Sequence, residues 1–136
     1  MSSISAIALS GLNAASRRLQ VSASNVANSQ STGALPNADG TVPAGAPTAY
    51  APLALVQTAS AGGGVQTSVT TVTPSTTAVF DPQAPFANQD GLVAAPNVDL
   101  SQEFVGQLLA SYSFAANAAV LKADDRMTKS LIDITA

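Results

Sequence analysis

Cysteine, histidine and tryptophan are all absent from this chain of 136 residues. Without Cys there is no disulfide, no thiol nucleophile and no Cys zinc site. Without His the usual general base and the commonest metal ligand are missing. The serines lack a base to activate them, Lys122 being the only conceivable one, and no acid pair is spaced for catalysis. No enzyme, cofactor, metal or small-molecule substrate is therefore expected. Charge is equally scarce: Asp, Glu, Lys and Arg make up 10 % of the chain, far below the usual quarter. None falls between Asp39 and Asp81. With no basic stripe, nucleic acid is not an expected partner. No run of about 18 apolar residues exists, so no membrane span is expected. The opening "ISAIALSGL" has no basic residue before it; Arg17 and Arg18 come after. It reads as retained structure rather than a cleaved signal peptide.

What is present is apolar and small. Hydrophobic residues reach 46 %, but Ala supplies much of that and buries little area. So few charges leave a free monomer poorly protected against association. Much of the surface is therefore expected to lie against partner chains.

Two helices are legible. Ile4, Ala8, Leu12, Ala15, Leu19, Ser22 and Val26 step by four or three, the seam of a helix over 4–28 with Ser2 or Ser3 as its cap. Gly11 beside that seam leaves room for another backbone. Near the other end, Asp99 reads as an N-cap with Gln102 three residues on, a capping-box spacing. A helix from Leu100 to about residue 134 follows, with Phe104, Leu108, Tyr112, Ala115, Ala119, Met127 and Leu131 on it. Val105, Leu109, Ala116 and Val120 widen the apolar surface beyond one stripe, as a helix packed on two sides would need. Asn117, mid-helix among Ala, is either a tolerated polar residue or a buried amide that sets helix register. Asp124 and Asp125 point about 100° apart and read as a solvated face.

Between the helices, "GALPNADGTVPAGAPT" is loop, broken by three Pro. Ala49–Thr58 and Val65–Thr73 read as strands around the Gly62–Gly64 turn, with Pro52 marking an edge. "VFDPQAPFANQDGLVAAPNVDL" reads as an ordered connector with turns at Asp-Pro and Asp-Gly. "PNADGT" and "ANQDGL" share Asn-x-Asp-Gly with calcium loops. The flanking positions Leu35, Phe86, Ala46 and Asn97 supply no acid ligand, so both read as turns. "SAGGGVQ" has neither the Lys nor the helix of a phosphate loop. The polar exit of the first helix, "VSASNVANSQSTG", places Asn25 and Asn28 three apart. They are positioned to bond end carbonyls or a neighbouring subunit, with Gly33 letting the chain turn away.

The two ends together resemble the axial proteins of the bacterial flagellum. "SGLNAASRRLQVSASNVANSQSTG" matches the N-terminal motif of rod and hook proteins. The segment from Phe80 to Pro85, then Asp90, Gly91, Val93, Pro96, Asn97 and Val98, then Ala110, Ser111 and Asn117, resembles the proximal rod family of FlgC type. Tyr112 stands where that family often has Arg, and Phe114 where Tyr is usual. The resemblance implies a mainly α fold with a small β section. N- and C-terminal helices would pair as an antiparallel coiled-coil-like bundle, with a short β-hairpin and loop insertion between them. The corresponding division is 1–33, 34–98 and 99–136.

The function so implied is a structural subunit of the basal-body rod, self-assembling with copies of itself and other rod proteins into a hollow helical shaft. It would be exported by the flagellar type III apparatus to the periplasm without signal cleavage. The expected subunit interface comprises Ile4, Ala8, Leu12, Ala15, Leu19, Asn25, Val26 and Asn28 on the first helix. On the second it comprises Phe104, Leu108, Tyr112, Ala115, Asn117, Ala119, Met127 and Leu131. The alternatives are another axial paralogue, or a free-standing secreted adhesin or effector with a Thr-rich β stalk.

Overall fold

A computed structural model describes residues 3–37 and 39–135. The expected cap Ser2 lies outside them. The chain forms α1 (Ser3–Ala27), β1 (Leu53–Ala59), β2 (Val65–Thr71), β3 (Thr76–Phe80), β4 (Leu92–Pro96) and α2 (Leu100–Thr135). α1 spans about 37 Å and α2 about 54 Å at the usual rise per residue. α2 starts where Asp99 Oδ1 accepts the N–H of Ser101 at 2.9 Å and of Gln102 at 3.1 Å. Those bonds satisfy two of the four orphan donors at the helix start.

The helices lie antiparallel: Ser5 hydrogen-bonds Asp124 near one end, and Ser22 reaches Glu103 near the other. The β1–β2 hairpin, paired from Leu53↔Thr71 to Ala59↔Val65, also packs on α1. Its Val65 N–H donates to Ser10 Oγ at 3.1 Å, and Arg18 Nη2 donates to Gln57 Oε1 at 3.2 Å. Gly63 and Gly64 turn it with φ of 86° and 83°, a conformation that favours glycine. The hairpin packs on α1, and together with α2 it lines two open clefts beside that helix.

The stretch expected as a connector contains a second antiparallel pair, β3–β4, in register from Thr76↔Pro96 to Phe80↔Leu92. Short runs with Thr, Val and Ala suffice because Gly33 adds a third edge: Gly33 and Ala94 exchange N–H···O bonds, each 2.9 Å. Val93 and Ala94 are buried there, with Ala34 beside them. Gly33 also has a different role from the expected turn. A Cβ at that position would lie 2.2 Å from the Ala49 nitrogen, so glycine is needed because the 47–49 backbone crosses it. Ala34 N–H donates to Pro47 O at 2.8 Å and Tyr50 N–H to Ser31 O at 3.0 Å, closing the base of the 35–46 loop.

Both Asn-x-Asp-Gly sequences form turns, with Gly40 at φ 81° and Gly91 at φ 73°. The Thr41 hydroxyl and N–H both donate to Asp39, and these bonds hold its carboxyl below the usual range.

The accessible surface is 8720 Å². A compact monomer of 13.5 kDa would expose about 6,500 Å². The surplus comes from two long helices lying side by side with little piled on them.

Candidate functional site

The helix pair meets through its smallest and most polar residues. On α1 the buried set is Ala8, Ala14, Ala15, Ser22 and Asn25. On α2 the positions turned toward α1 are Glu103, Ala110, Asn117 and Asp124, spaced by sevens. Ala110 and Asp124 are buried, and Glu103 and Asn117 half-buried. Such small side chains let the two axes come close.

At the middle of this contact Gly11 forms a notch for Asn117. A Cβ on Gly11 would sit 2.4 Å from Asn117 Oδ1. The Asn117 amide donates back to Ser113 O at 2.8 Å. The expected seam is thus correct at Ala8, Ala15 and Ser22 but rotated elsewhere. Gly11 and Asn25 face inward in place of Leu12 and Val26, which are half-buried, while Leu19 is exposed. The pattern of large apolar residues marked a different stripe from the one that packs. Close packing of two helices in one chain selects small side chains over greasy ones.

The polar exit of α1 becomes a hydrogen-bonded hub. Asn25 is 1 % exposed. Its Oδ1 accepts the Leu53 N–H at 2.9 Å and its Nδ2 donates to the Leu53 carbonyl at 2.8 Å. Nδ2 also donates to Glu103 Oε1 at 2.6 Å, and Oδ1 also accepts from Tyr50 Oη at 3.0 Å. Ser22 Oγ donates to the Glu103 carbonyl at 3.1 Å. Ser24 Oγ lies 3.0 Å from Tyr50 Oη. One amide, with both its donors and its acceptor in use, ties α1 to β1, to the strand entry and to α2.

Asn28 does what one of its expected roles requires: Nδ2 donates to the Ser24 carbonyl at 2.9 Å, an end carbonyl of α1. Sequence reasoning missed Glu103 and Tyr50 in this hub. A lone acid in a helix's first turn carries only a dipole signal, and a lone Tyr beside Pro52 carries none.

Asp124 corrects the expectation of a solvated acidic pair. It is buried against Ser5, whereas Asp125 is exposed and pairs with Lys129 at 2.7 Å.

The large apolar side chains face outward. Ile4, Ile7, Leu9 and Leu19 are exposed on α1. On α2, Phe104, Val105, Leu108, Leu109, Tyr112, Phe114, Val120, Met127 and Leu131 are all exposed, as are Ala115 and Ala119. By length and composition alone α2 is long and apolar enough to cross a membrane, although it holds no continuous apolar run of that length. Gln107, Ser111, Ser113 and Asn117 break every run without lowering the average enough.

The helix pair thus has a polar, small-residue inside and an uncovered apolar outside. The comparisons with known proteins name the family. Residues 89–134 match the family model described as flagellar basal body rod FlgEFG protein C-terminal. The chain is 38 % identical over 130 residues to the flagellar basal-body rod protein FlgC of Yersinia enterocolitica, covering 93 % of this chain and 88 % of that one. It is 38 % identical over 119 residues to FlgC of Salmonella typhimurium, covering 85 % and 83 %. The chain belongs to the FlgC family of flagellar basal-body rod proteins. It is a structural subunit of the rod, and not an enzyme. FlgC of Bacillus subtilis shares 36 % identity over 76 residues, covering 55 % of this chain and 51 % of that one. For a FlgC-family member the functional site is a surface for assembly, and the outward faces of α1 and α2 are the candidates.

Proposed function

We propose that this chain self-assembles with copies of itself and other rod proteins into a hollow helical shaft in the periplasm. In this reading α1 and α2 pair as an antiparallel, coiled-coil-like unit, and residues 1–33 and 99–136 together form the axial helical domain. Residues 34–98 form an outward β and loop section. The flagellar type III apparatus exports the chain with its N-terminal helix retained.

The observation that carries this reading is the exposure of α2's apolar face in the single chain. Phe104 at 58 %, Tyr112 at 66 % and Leu131 at 65 % are far more open than large apolar residues are in a finished core. Burial of such side chains against a neighbour contributes about 1.5–3 kcal/mol each, enough for a few of them to drive association. The proposed interface residues then divide by role. Ile4, Leu19, Phe104, Leu108, Tyr112, Ala115, Ala119, Met127 and Leu131 touch neighbours directly. Leu12, Val26 and Asn28 line the edges of the helix pair. Ala8, Ala15, Asn25 and Asn117 serve the interface from inside, by holding the pair that presents it. Protein, not lipid, covers the apolar side of α2.

The test is the composition of purified basal bodies from cells that make this chain. The chain should copurify with them, and its deletion should leave cells without a rod and unable to swim. A chain found only free in the medium, with swimming intact after its deletion, would favour the secreted adhesin instead.

A further inference from the structure

Charge is segregated along the chain. α1 carries Arg17 and Arg18 and no acid, while residues 34–99 carry Asp39, Asp81, Asp90 and Asp99 and no base. Within one copy these opposite charges do not meet: the ion pair found among the described residues joins Asp125 and Lys129.

Arg18 stands at one end of an open cleft of about 260 Å³ between α1, the hairpin and α2. Ile7, Ala14, Ala15 and Val65 give the cleft apolar walls, and Gln57 stands beside the guanidinium. Arg18 is half-buried, and its bond goes to a neutral acceptor, Gln57 Oε1, at 3.2 Å. Glu103 lines the neighbouring cleft with Arg18 but is held by Asn25 instead. A guanidinium so placed suits a carboxylate, which takes its N–H fork in two parallel bonds. A cavity of about 150 Å³ already holds benzene, so there is room for a phenyl ring beside Arg18.

The turn that joins β3 to β4 has the matching parts. Phe80 is 69 % exposed, the most open large apolar side chain among the described residues. Asp81 follows it, and Asp90 lies across the turn. Both are exposed, and neither carboxylate has a partner among the described residues. The turn is braced: Asp81 N–H donates to Gly91 O at 2.9 Å, and Asn88 Oδ1 accepts the N–H of Asp90 at 3.0 Å and of Leu92 at 2.8 Å. Among the described helices and strands, β3 and β4 contact only each other. The loop beyond Phe80 lies beside residues 44–47, away from its own copy's cleft.

We infer that Phe80 of one copy enters the Arg18 cleft of a second copy, where the carboxylates beside it meet the guanidinium. This deepens the rod reading and rests on it. Charge complementarity argues for a second copy as the occupant: the chain that offers the cationic cleft also carries the acidic turn, on a part of the fold that does not touch it. Turn and cleft are different surfaces, so the contact is heterologous and propagates into a ring or helix.

The chain has no Cys, so added thiols crosslink without background. Ala59→Cys marks the hairpin rim of the cleft and Gln83→Cys marks the turn; both positions are exposed. The two variants are coexpressed in cells building basal bodies, and the isolated bodies are treated with a short bis-maleimide. A covalent dimer should form that neither variant gives alone. Adding Phe80→Ala to the Gln83→Cys chain should remove it. Arg18→Gln in the Ala59→Cys chain, or Asp81→Asn with Asp90→Asn in the Gln83→Cys chain, should lower its yield several-fold per copy incorporated. Bodies holding both variants with no mixed dimer, or with an adduct to a different protein in its place, overturn the docking and leave the rod reading standing. A yield unchanged by all the neutralised variants overturns the pairing with Arg18. Bodies lacking even the wild-type chain overturn both readings. If Ala59→Cys is excluded from the bodies, Ala61→Cys on the hairpin turn takes its place and is read the same way.

Discussion

The side-chain amide of Asn25 pairs with the backbone of Leu53 as a neighbouring strand would, accepting its N–H at 2.9 Å and donating to its carbonyl at 2.8 Å. β1, whose other edge pairs with β2, is thereby fastened to a helix as well. Asn25→Ala should leave both Leu53 groups and the Tyr50 hydroxyl without this partner. Stranding buried groups costs about 1–3 kcal/mol each. Hydrogen exchange at the Leu53 amide should speed by roughly ten- to a hundredfold; unchanged protection would show that the hairpin is held by other contacts.

The Asn117 side chain fills the space that Gly11 leaves between the helices. Gly11→Ala gains about 1 kcal/mol of helix propensity but forces Asn117 aside, and overpacking of this kind costs about 1–3 kcal/mol. The net effect should be a lower melting temperature of assembled rods, reversed when Asn117→Ala is added. A double-mutant cycle checks it, since coupling is expected only for residues in contact. Additive effects would separate the two positions.

The free chain should be only partly helical. Among the described residues the buried apolar side chains are six alanines, Val93, Pro52 and Pro96, with no Leu, Ile or Phe among them, too little to hold two long helices. Circular dichroism of dilute chain should show helicity rising with concentration. Full helix with a concentration-independent, cooperative melt would contradict this.

Leu108 is 56 % exposed, so Leu108→Asp should change the stability of the single chain by no more than about 0.5 kcal/mol while abolishing rod assembly. Leu12→Asp, at a half-buried position, should abolish assembly as well and lower stability besides. Swimming assays beside cellular levels of each variant separate the effects; normal swimming in both variants would remove these positions from the interface.

Asn28→Ala removes the bond to the Ser24 carbonyl. Loss of one such hydrogen bond costs about 0.5–1.5 kcal/mol and should fray the end of α1, although the Ser24 carbonyl keeps the Asn28 backbone N–H. If assembly fails while the helix signal is unchanged, Asn28 acts on a neighbour rather than as a cap.

Both helices were legible nearly to the residue, because Asp99 caps the start of α2 and long stretches without Pro leave the backbone few alternatives. The β1–β2 hairpin was legible for the same local reason: Val and Thr runs flank a Gly-rich turn. The flagellar axial character was legible from both ends of the chain.

Which helix face lies inside was settled by packing between elements far apart in the chain. Leu12, Leu19 and Val26 outrank Gly11 and Asn25 on any apolar scale, yet close approach of two helices depends on side-chain size, which periodicity does not weigh. The β3–β4 pair was hidden because its third edge comes from Gly33, sixty residues away. The burial of Asp124 and the joining of Asn25 to Glu103 were hidden too, since a polar residue's partner lies on another element. An apolar stripe in this sequence marks what the assembly covers, and the small and polar residues mark what the single chain packs.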